Sequence, residues 1–449
     1  MVRNLKVAAA VAAVLAAGSA VASQPSPASA AAPAVSLYIS GSSAAQPAII
    51  SALENQLCGG SFSVFSSTGD TNFFAVSCTP ATGVVTGATG SAIFTVWYRD
   101  EGGSVTGALP LVSGSSINQL ALAGASGSAG VYTVAVSGAS ATNGIDDSFG
   151  GGVSKAQVQL GITDVEPGAL SGNNYPSAYL QSVYGHATSL QLAGLSATAL
   201  FDQVFGVFVN TTGGNFSPTE TAGQGTATAS LSLSTAAIGN VLNGNDTDWS
   251  TVSDVNGNAV TTNSQPIVII NREQGSGSRT ATDIFFTTDS CNKVTQLPIL
   301  ESTGGTADYF STGNVLAEAN LVAGSITYAT IDNAGSSKYP NLTLVAINGV
   351  QPSNLAAASG EYGDWFEATA VKNTSVVPLN TTQAALVTYL IGQFQKAPPV
   401  AADILGNPNF TGAAQLPISG SSTTSGGKTI YTNPFTRSKV SCADPISLL

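Results

Sequence analysis

The stretch IVIINREQGSGSRTATDIFF, from Ile267 to Phe286, decides how this chain is read. Ile267–Ile270 is a continuous β-branched run, the pattern of a strand buried on both faces. Arg272 follows, then Gly275-Ser276-Gly277-Ser278, then apolar positions at Ala281, Ile284 and Phe285 with helical spacing. A strand feeding a Gly/Ser turn at a helix N-terminus suits an anion. Glycines let backbone N–H groups approach, hydroxyls donate, the helix dipole favours negative charge, and an arginine can bind two oxygens at once. The same string also describes an ordinary strand–turn–helix with Ser278 as N-cap. The rest of the chain has to choose.

At 449 residues the chain is long enough for two domains with their own cores. Only 8% of its residues are charged against 43% hydrophobic, so Gly, Ala, Ser and Thr must cover the surface. Such a surface argues against charge-driven disorder, and against nucleic-acid binding, which needs clustered Lys and Arg. The net charge is −12, and more negative still once Arg3 and Lys6 of the leader are discounted. A chain this acidic has no general attraction for anions. Any anion site must be built locally from directed donors.

Residues 1–22 read as a signal peptide: Arg3 and Lys6, the apolar run Val7–Ala17, then Ala20-Val21-Ala22 as a cleavage motif. Ala28-Ser29-Ala30 is a second possible cut, and residues 23–33 form a Pro/Ala/Ser linker. No later segment is long and apolar enough to span a membrane. No Cys stands near either cut to carry a lipid. The mature protein is therefore expected to be exported and soluble, periplasmic or secreted, and monomeric. In an oxidising compartment Cys58, Cys78, Cys291 and Cys442 suggest two disulfides. Three pairings are open; the sequence-local one joins Cys58 to Cys78 and Cys291 to Cys442. With no CxxC and His186 as the single histidine, neither a metal nor a cofactor is expected.

Moving outward from the central stretch, strand–Gly/Ser–helix logic recurs at the start. Leu37-Tyr38-Ile39 reads as a strand, Gly41-Ser42-Ser43 as a turn and Ile49–Leu57 as a helix. Ile93–Tyr98 is another buried strand, ending in Arg99 and then Gly102-Gly103-Ser104. The glycine-rich span 105–150 reads as β-hairpins or loops decorating the fold. Later come Thr163-Asp164 after a short strand, the strand Phe201–Asn210, a helix ending near Asn243-Gly244, the strand Ser325–Ile331 and the helix Ala385–Gln395. Strands alternating with helices indicate an α/β protein with mainly parallel sheets, plus β-rich and loop insertions.

Taken in order, these segments resemble the phosphate-binding proteins of ABC importers, within the class II periplasmic binding-protein superfamily. The opening strand, Gly/Ser turn and helix proline match ISGSSAAQP; the Ser-Asp turn matches GITDVE, with Asp164 in the aspartate position. The Gly-and-Trp turn matches VLNGNDTDW. The most specific motif is an Arg, three residues, then Ser-Gly-Ser, met by Arg272, Ser276, Gly277 and Ser278. Gly324-Ser325-Ile326-Thr327-Tyr328 supplies the last strand. The resemblance implies two α/β lobes, residues 34–199 with 349–449 and residues 200–348. Between them an oxyanion would be held by helix N-termini and closed upon by hinge motion. It implies ligand contacts from Ser42, Ser43, Ala44, Arg99, Gly103, Ser104, Asp164, Arg272, Ser276, Gly277 and Ser278. Where the family offers a hydroxyl two residues before its proline, this chain has Ala45, leaving only backbone there. The second anion loop is either Ser66–Gly69 or Arg99–Ser104.

Removed from water, an oxyanion needs nearly every lone pair met by a donor. Serine hydroxyls and backbone N–H supply donors without net charge, and Arg272 adds a fork. Asp164 can only accept hydrogen bonds, so it favours a protonated phosphate over unprotonated sulfate. Of the four arginines after the leader, Arg99, Arg272 and Arg279 lie in or beside such turns, and Arg437 does not. Arg99 and Arg279 equally suit paired structural roles. Without ligand, Arg272 and Asp164 are expected to face an open, solvated cleft. The chain reads as a non-enzymatic solute-binding protein for phosphate or a related oxyanion, partnered by an ABC importer permease. The alternatives are an exported protein that kept the fold without transport and, behind it, a secreted phosphatase relying on His186.

Overall fold

The β-branched runs become the strands of one mixed sheet, and the Gly/Ser turns sit at the ends of those strands. The computed structural model describes residues 33–449, apart from 59–61, 71, 81–82, 88–90, 139–148, 218, 221–228, 288–298, 396–414, 419–422, 426–427, 439, 443–445 and 448–449. The signal peptide and nearly all of the linker thus lie outside the described residues. Strand β1 (Val35–Gly41) leads into helix α1 (Gln46–Ala52), whose first turn holds Pro47, and a π-helical turn at Leu53–Leu57 extends it. β2 (Ser63–Thr68), β3 (Phe73–Cys78) and β4 (Phe94–Arg99) follow, then α2 (Ser104–Ser113), β5 (Ser116–Leu120), β6 (Val131–Ala135), β7 (Val153–Gln157) and β8 (Leu160–Thr163). The long strand β9 (Ser196–Asn210) precedes α3 (Thr235–Leu242), β10 (Val268–Ile269), α4 (Gly277–Phe286), α5 (Thr312–Ala319), β11 (Ser325–Thr330), β12 (Trp365–Lys372) and α6 (Thr381–Gln395).

The main sheet runs β10-β11-β9-β12-β8-β1-β4-β3-β2-β6. It is parallel around β1, which pairs with both β8 and β4, and antiparallel where β12 meets β8 and β9. β9 carries the sheet from one half to the other. Its first part, Ser196 to Val204, pairs with β12, and Phe205 to Val209 pair with β11. Leu37, Ile39, Ile49, Leu53, Leu386 and Leu390 centre one apolar core; Ile238, Val241, Trp249, Ile326 and Tyr328 centre another. A third cluster, with Leu109, Phe205, Ala281 and Phe366, includes residues from α2, β9, α4 and β12.

Two local expectations are corrected. The span after Ser104 begins with a ten-residue helix, not with hairpins or loops. Its sequence hides it: Gly107 and Pro110 both stand inside α2. Gly107 is there because α2 lies directly on the sheet. A Cβ at that position would stand 2.8 Å from the Ile162 carbonyl oxygen and 2.9 Å from that of Ser40. The helix predicted for Ile49–Leu57 starts earlier and finishes in the π-helical turn. Cys58 and Cys78 are joined, with Cα atoms 5.6 Å apart, tying the end of α1's extension to the end of β3. Cys442 is also disulfide-bonded; its expected partner Cys291 lies outside the described residues.

Candidate functional site: Arg272, Asp164 and four helix starts

Arg272 stands just beyond β10 and is 1% exposed. Every acceptor it meets is neutral. Nε donates to the Tyr309 carbonyl at 3.1 Å and Nη2 to the Phe310 carbonyl at 3.1 Å. Nη1 donates to Ser278 Oγ at 3.1 Å and Thr312 Oγ1 at 2.8 Å. Among the described residues, no carboxylate lies within ion-pair distance of it. Arg279 is different: it pairs with Glu301 at 2.9 Å and Asp308 at 3.0 Å. Arg99 is paired too, with Glu101 at 2.8 Å, and its guanidinium lies over the rings of Phe73 and Tyr184 at 4.8 and 5.1 Å. These two take the paired structural role that the sequence left open for them.

Asp164 follows β8 and is 2% exposed. Ser42 Oγ donates to its Oδ1, Ser104 Oγ to Oδ2 at 3.0 Å, and Gln203 Nε2 to Oδ1 at 2.9 Å. Ser104 Oγ also accepts the Asp164 N–H at 2.8 Å. An isolated buried carboxylate is costly; three neutral donors keep this one solvated by protein. The expectation of an open, solvated setting for Arg272 and Asp164 fails, because each is enclosed and hydrogen-bonded within the chain.

Helix starts bring these groups together. Ser104 opens α2, and Ser276 caps α4 by accepting the Arg279 N–H at 3.3 Å. The cap is thus Ser276, two residues earlier than the Ser278 of the plain strand–turn–helix reading, which frees the Ser278 hydroxyl for Arg272. Thr312 opens α5 and shares a 3.0 Å contact with Ser43 Oγ in the turn before α1. The loops interlock closely. The Val105 N–H donates to the Gly275 carbonyl at 3.0 Å. A Cβ on Gly277 would stand 2.1 Å from Ser104 Oγ and 2.6 Å from Asp164 Oδ2. One on Gly103 would stand 3.1 Å from Arg272 Nη2. Only glycine fits at 277.

The structure therefore gathers Ser42, Ser43, Gly103, Ser104, Asp164, Arg272, Ser276, Gly277 and Ser278, with Ala44 buried in the same turn. The loop that reaches Arg272 is Gly103-Ser104, while Ser67 Oγ bonds carbonyls of its own hairpin, at Asp70 and at Phe73 (3.2 Å). Where the family has a hydroxyl, Ala45 offers its N–H, and Ser42 Oγ accepts it at 2.9 Å. Sequence reading missed Thr312 and Gln203. Thr312 had a signal, Ser311-Thr312-Gly313 ahead of an apolar-periodic run; Gln203 had another, a polar residue inside an apolar strand.

Burial lowers the Arg272 pKa from its ordinary value, while Tyr328, Asp164 and Asp100 raise it. A guanidinium stays protonated through such shifts. Nearby Asp100 is pushed well above the usual carboxylate range by burial and by Asp70 and Glu101, with Arg272 pulling the other way. Among the described residues no group of three or more His, Cys, Asp or Glu is placed to hold a metal ion. No helix among them is long and apolar enough to cross a membrane.

No family model matches the chain, and no curated protein does. Solved structures do resemble it. A Clostridium perfringens protein crystallised with bound phosphate is 12% identical, with a TM-score of 0.43 over 83% of this chain and 96% of that one. An ABC-type phosphate transport receptor from Vibrio cholerae is 11% identical, with a TM-score of 0.40 over 83% and 97%. A phosphate-binding protein from Stenotrophomonas maltophilia is 11% identical, with a TM-score of 0.41 over 93% and 91%.

Proposed function

We propose that this chain is an exported solute-binding protein that takes phosphate or a related oxyanion between two lobes, residues 34–199 with 349–449 and residues 200–348, and delivers it to an ABC importer. The observation that carries the reading is Arg272, a buried guanidinium bonded only to neutral acceptors. A buried cation with no carboxylate in ion-pair contact is expensive, and an arriving anion relieves it. Hydroxyls of Ser43, Ser278 and Thr312 stand along the same path, and helix starts add favourable dipoles. Asp164 supplies the acceptor that a protonated oxyanion needs. The Cys58–Cys78 disulfide suits an oxidising compartment.

A second reading has its own support. Arg272 and Asp164 already have partners inside the chain, as expected of a protein that kept the fold and lost ligand and transport. A phosphatase is less favoured, since His186 is exposed in the turn after the helix Ala178–Tyr184. Calorimetry of the mature chain against phosphate, arsenate, sulfate and molybdate decides between the first two. Saturable heat with phosphate, abolished by Arg272→Met, supports binding; flat titrations with all four anions overturn it.

A further inference from the structure

Gln203 lies in β9, the strand that carries the sheet across, and its residue is 0% exposed. Its Nε2 donates to Asp164 Oδ1 at 2.9 Å, while its Oε1 has no hydrogen-bond partner among the described residues. A buried amide with one end bare costs stability that an apolar residue in the same strand would not. Packing alone does not account for it.

The other two donors to Asp164 are of another kind. Ser42 and Ser104 present hydroxyls, whose O–H can turn about the Cβ–Oγ bond without moving the backbone. An amide donor has no such freedom. Its N–H directions lie in the plane of the group, so turning the donor away means rotating the whole amide inside a 0% exposed site. Resting on the oxyanion-binding reading above, we propose that Gln203 is the positioning residue that keeps Asp164 a hydrogen-bond acceptor when the serine hydroxyls turn to a bound oxyanion, and thereby sets the preference for a protonated over a fully ionised one.

In the empty protein the Asp164 carboxylate holds all three donors. When an oxyanion enters, Ser42 and Ser104 turn their O–H groups to donate hydrogen bonds to its oxygens, and the ligand's own hydroxyl donates to Asp164. Gln203 is then the one donor left that is fixed by the protein. A carboxylate stripped of it as well would have no such donor to hold its oxygens toward the ligand's hydroxyl, and the penalty on an oxyanion without that hydroxyl would weaken. The bare Oε1 is the by-product of aiming the amide's donor end at the carboxylate.

The test compares dissociation constants for phosphate and for sulfate in the parent, in Gln203→Met, which keeps the length without the donor, and in Gln203→Leu, which removes the amide with a shorter apolar side chain. The expected result is a fall of about tenfold or more in the preference for phosphate over sulfate in both variants, the size of a lost hydrogen bond to a charged group. A ratio of constants does not depend on the fraction of molecules folded, so a loss of stability does not mask it. If Met at 203 does not fold, Gln203→Asn withdraws the donor by one methylene and is read in the same way. An unchanged ratio, with both affinities lowered together, overturns the positioning role and leaves the binding reading standing. A parent that binds neither anion overturns both.

Discussion

Arg99 and Arg272 are built from the same local grammar and end in opposite electrostatic states. Arg99 ends the buried strand β4 and Arg272 stands just beyond β10, and each precedes a Gly/Ser pair that opens a ten-residue helix. Both are essentially unexposed. Arg99 finds Glu101 two residues on, a carbonyl on β5 at 3.2 Å, and aromatic faces. Arg272 finds carbonyls and hydroxyls. The motif thus places a buried cation, and the surrounding chain decides whether that cation is already neutralised. A compensated arginine is a fold element. An uncompensated one is what the proposed oxyanion reading calls on.

The sharpest way to break this contrast is Arg99→Ala. It takes the guanidinium away from the buried Glu101 carboxylate, and stability should fall by about 3–5 kcal/mol in a urea melt. The folded remainder should bind phosphate nearly as the parent does. Intact stability with lost binding would put Arg99 in the site.

Arg272→Lys is the mirror experiment. It keeps the charge and loses the fork, so calorimetric phosphate affinity should fall by about 2–5 kcal/mol. Because Arg272 also ties down the Tyr309 and Phe310 carbonyls, a further loss of about 1–3 kcal/mol in stability is expected. A stability loss with unaltered anion affinity would class Arg272 with Arg99.

Asp164→Asn should cost less, about 1.5–3 kcal/mol of phosphate affinity, while sulfate binding improves. Equal weakening of both anions would mean that Asp164 only holds the loops together.

Arg437 extends the comparison to a third buried arginine. It lies over the Trp365 and Phe366 rings at 5.1 and 4.6 Å and donates to the Trp365 carbonyl at 3.1 Å. Burial raises neighbouring Asp364 to about 7, with Arg437 opposing. An acid with a raised folded pKa holds its proton better folded than unfolded. Its contribution is therefore complete below pH 4 and is lost as the pH climbs through about 7. Parent stability should fall relative to Asp364→Asn across that window, by at least about 1 kcal/mol. Parallel pH–stability curves would show that Asp364 is already ionised beside Arg437.

The smallest effect belongs to Ser43→Ala. It removes one hydroxyl contact to Thr312 and should change melting by less than about 1 kcal/mol. Any larger loss should appear in phosphate affinity alone.

The alternation of strands and helices, and the Arg-x₃-Ser-Gly-Ser run, were legible because hydrophobic period and turn chemistry are local properties. β-branched runs fix strands, glycines permit tight turns, and serine caps fix helix starts. The Cys58–Cys78 link was legible for the same reason, since few residues separate its ends. α2 was not, because Gly107 and Pro110 break a local helix pattern and only contact with β1 and β8 explains the glycine.

What the sequence by itself determined was where donors and charges could be presented: a strand, an arginine, a Gly/Ser turn and a helix start. What only the tertiary structure decided was which charges remain uncompensated, because that depends on which chain segments meet. Glu101 reaches Arg99 within one turn, and Glu301 and Asp308 reach Arg279 across a loop. Arg272 meets Thr312, forty residues away, and Asp164 meets Gln203 on the crossing strand. Electrostatic interactions act through space at a few ångströms, so no reading along the chain can tell a neutralised arginine from one left for a ligand.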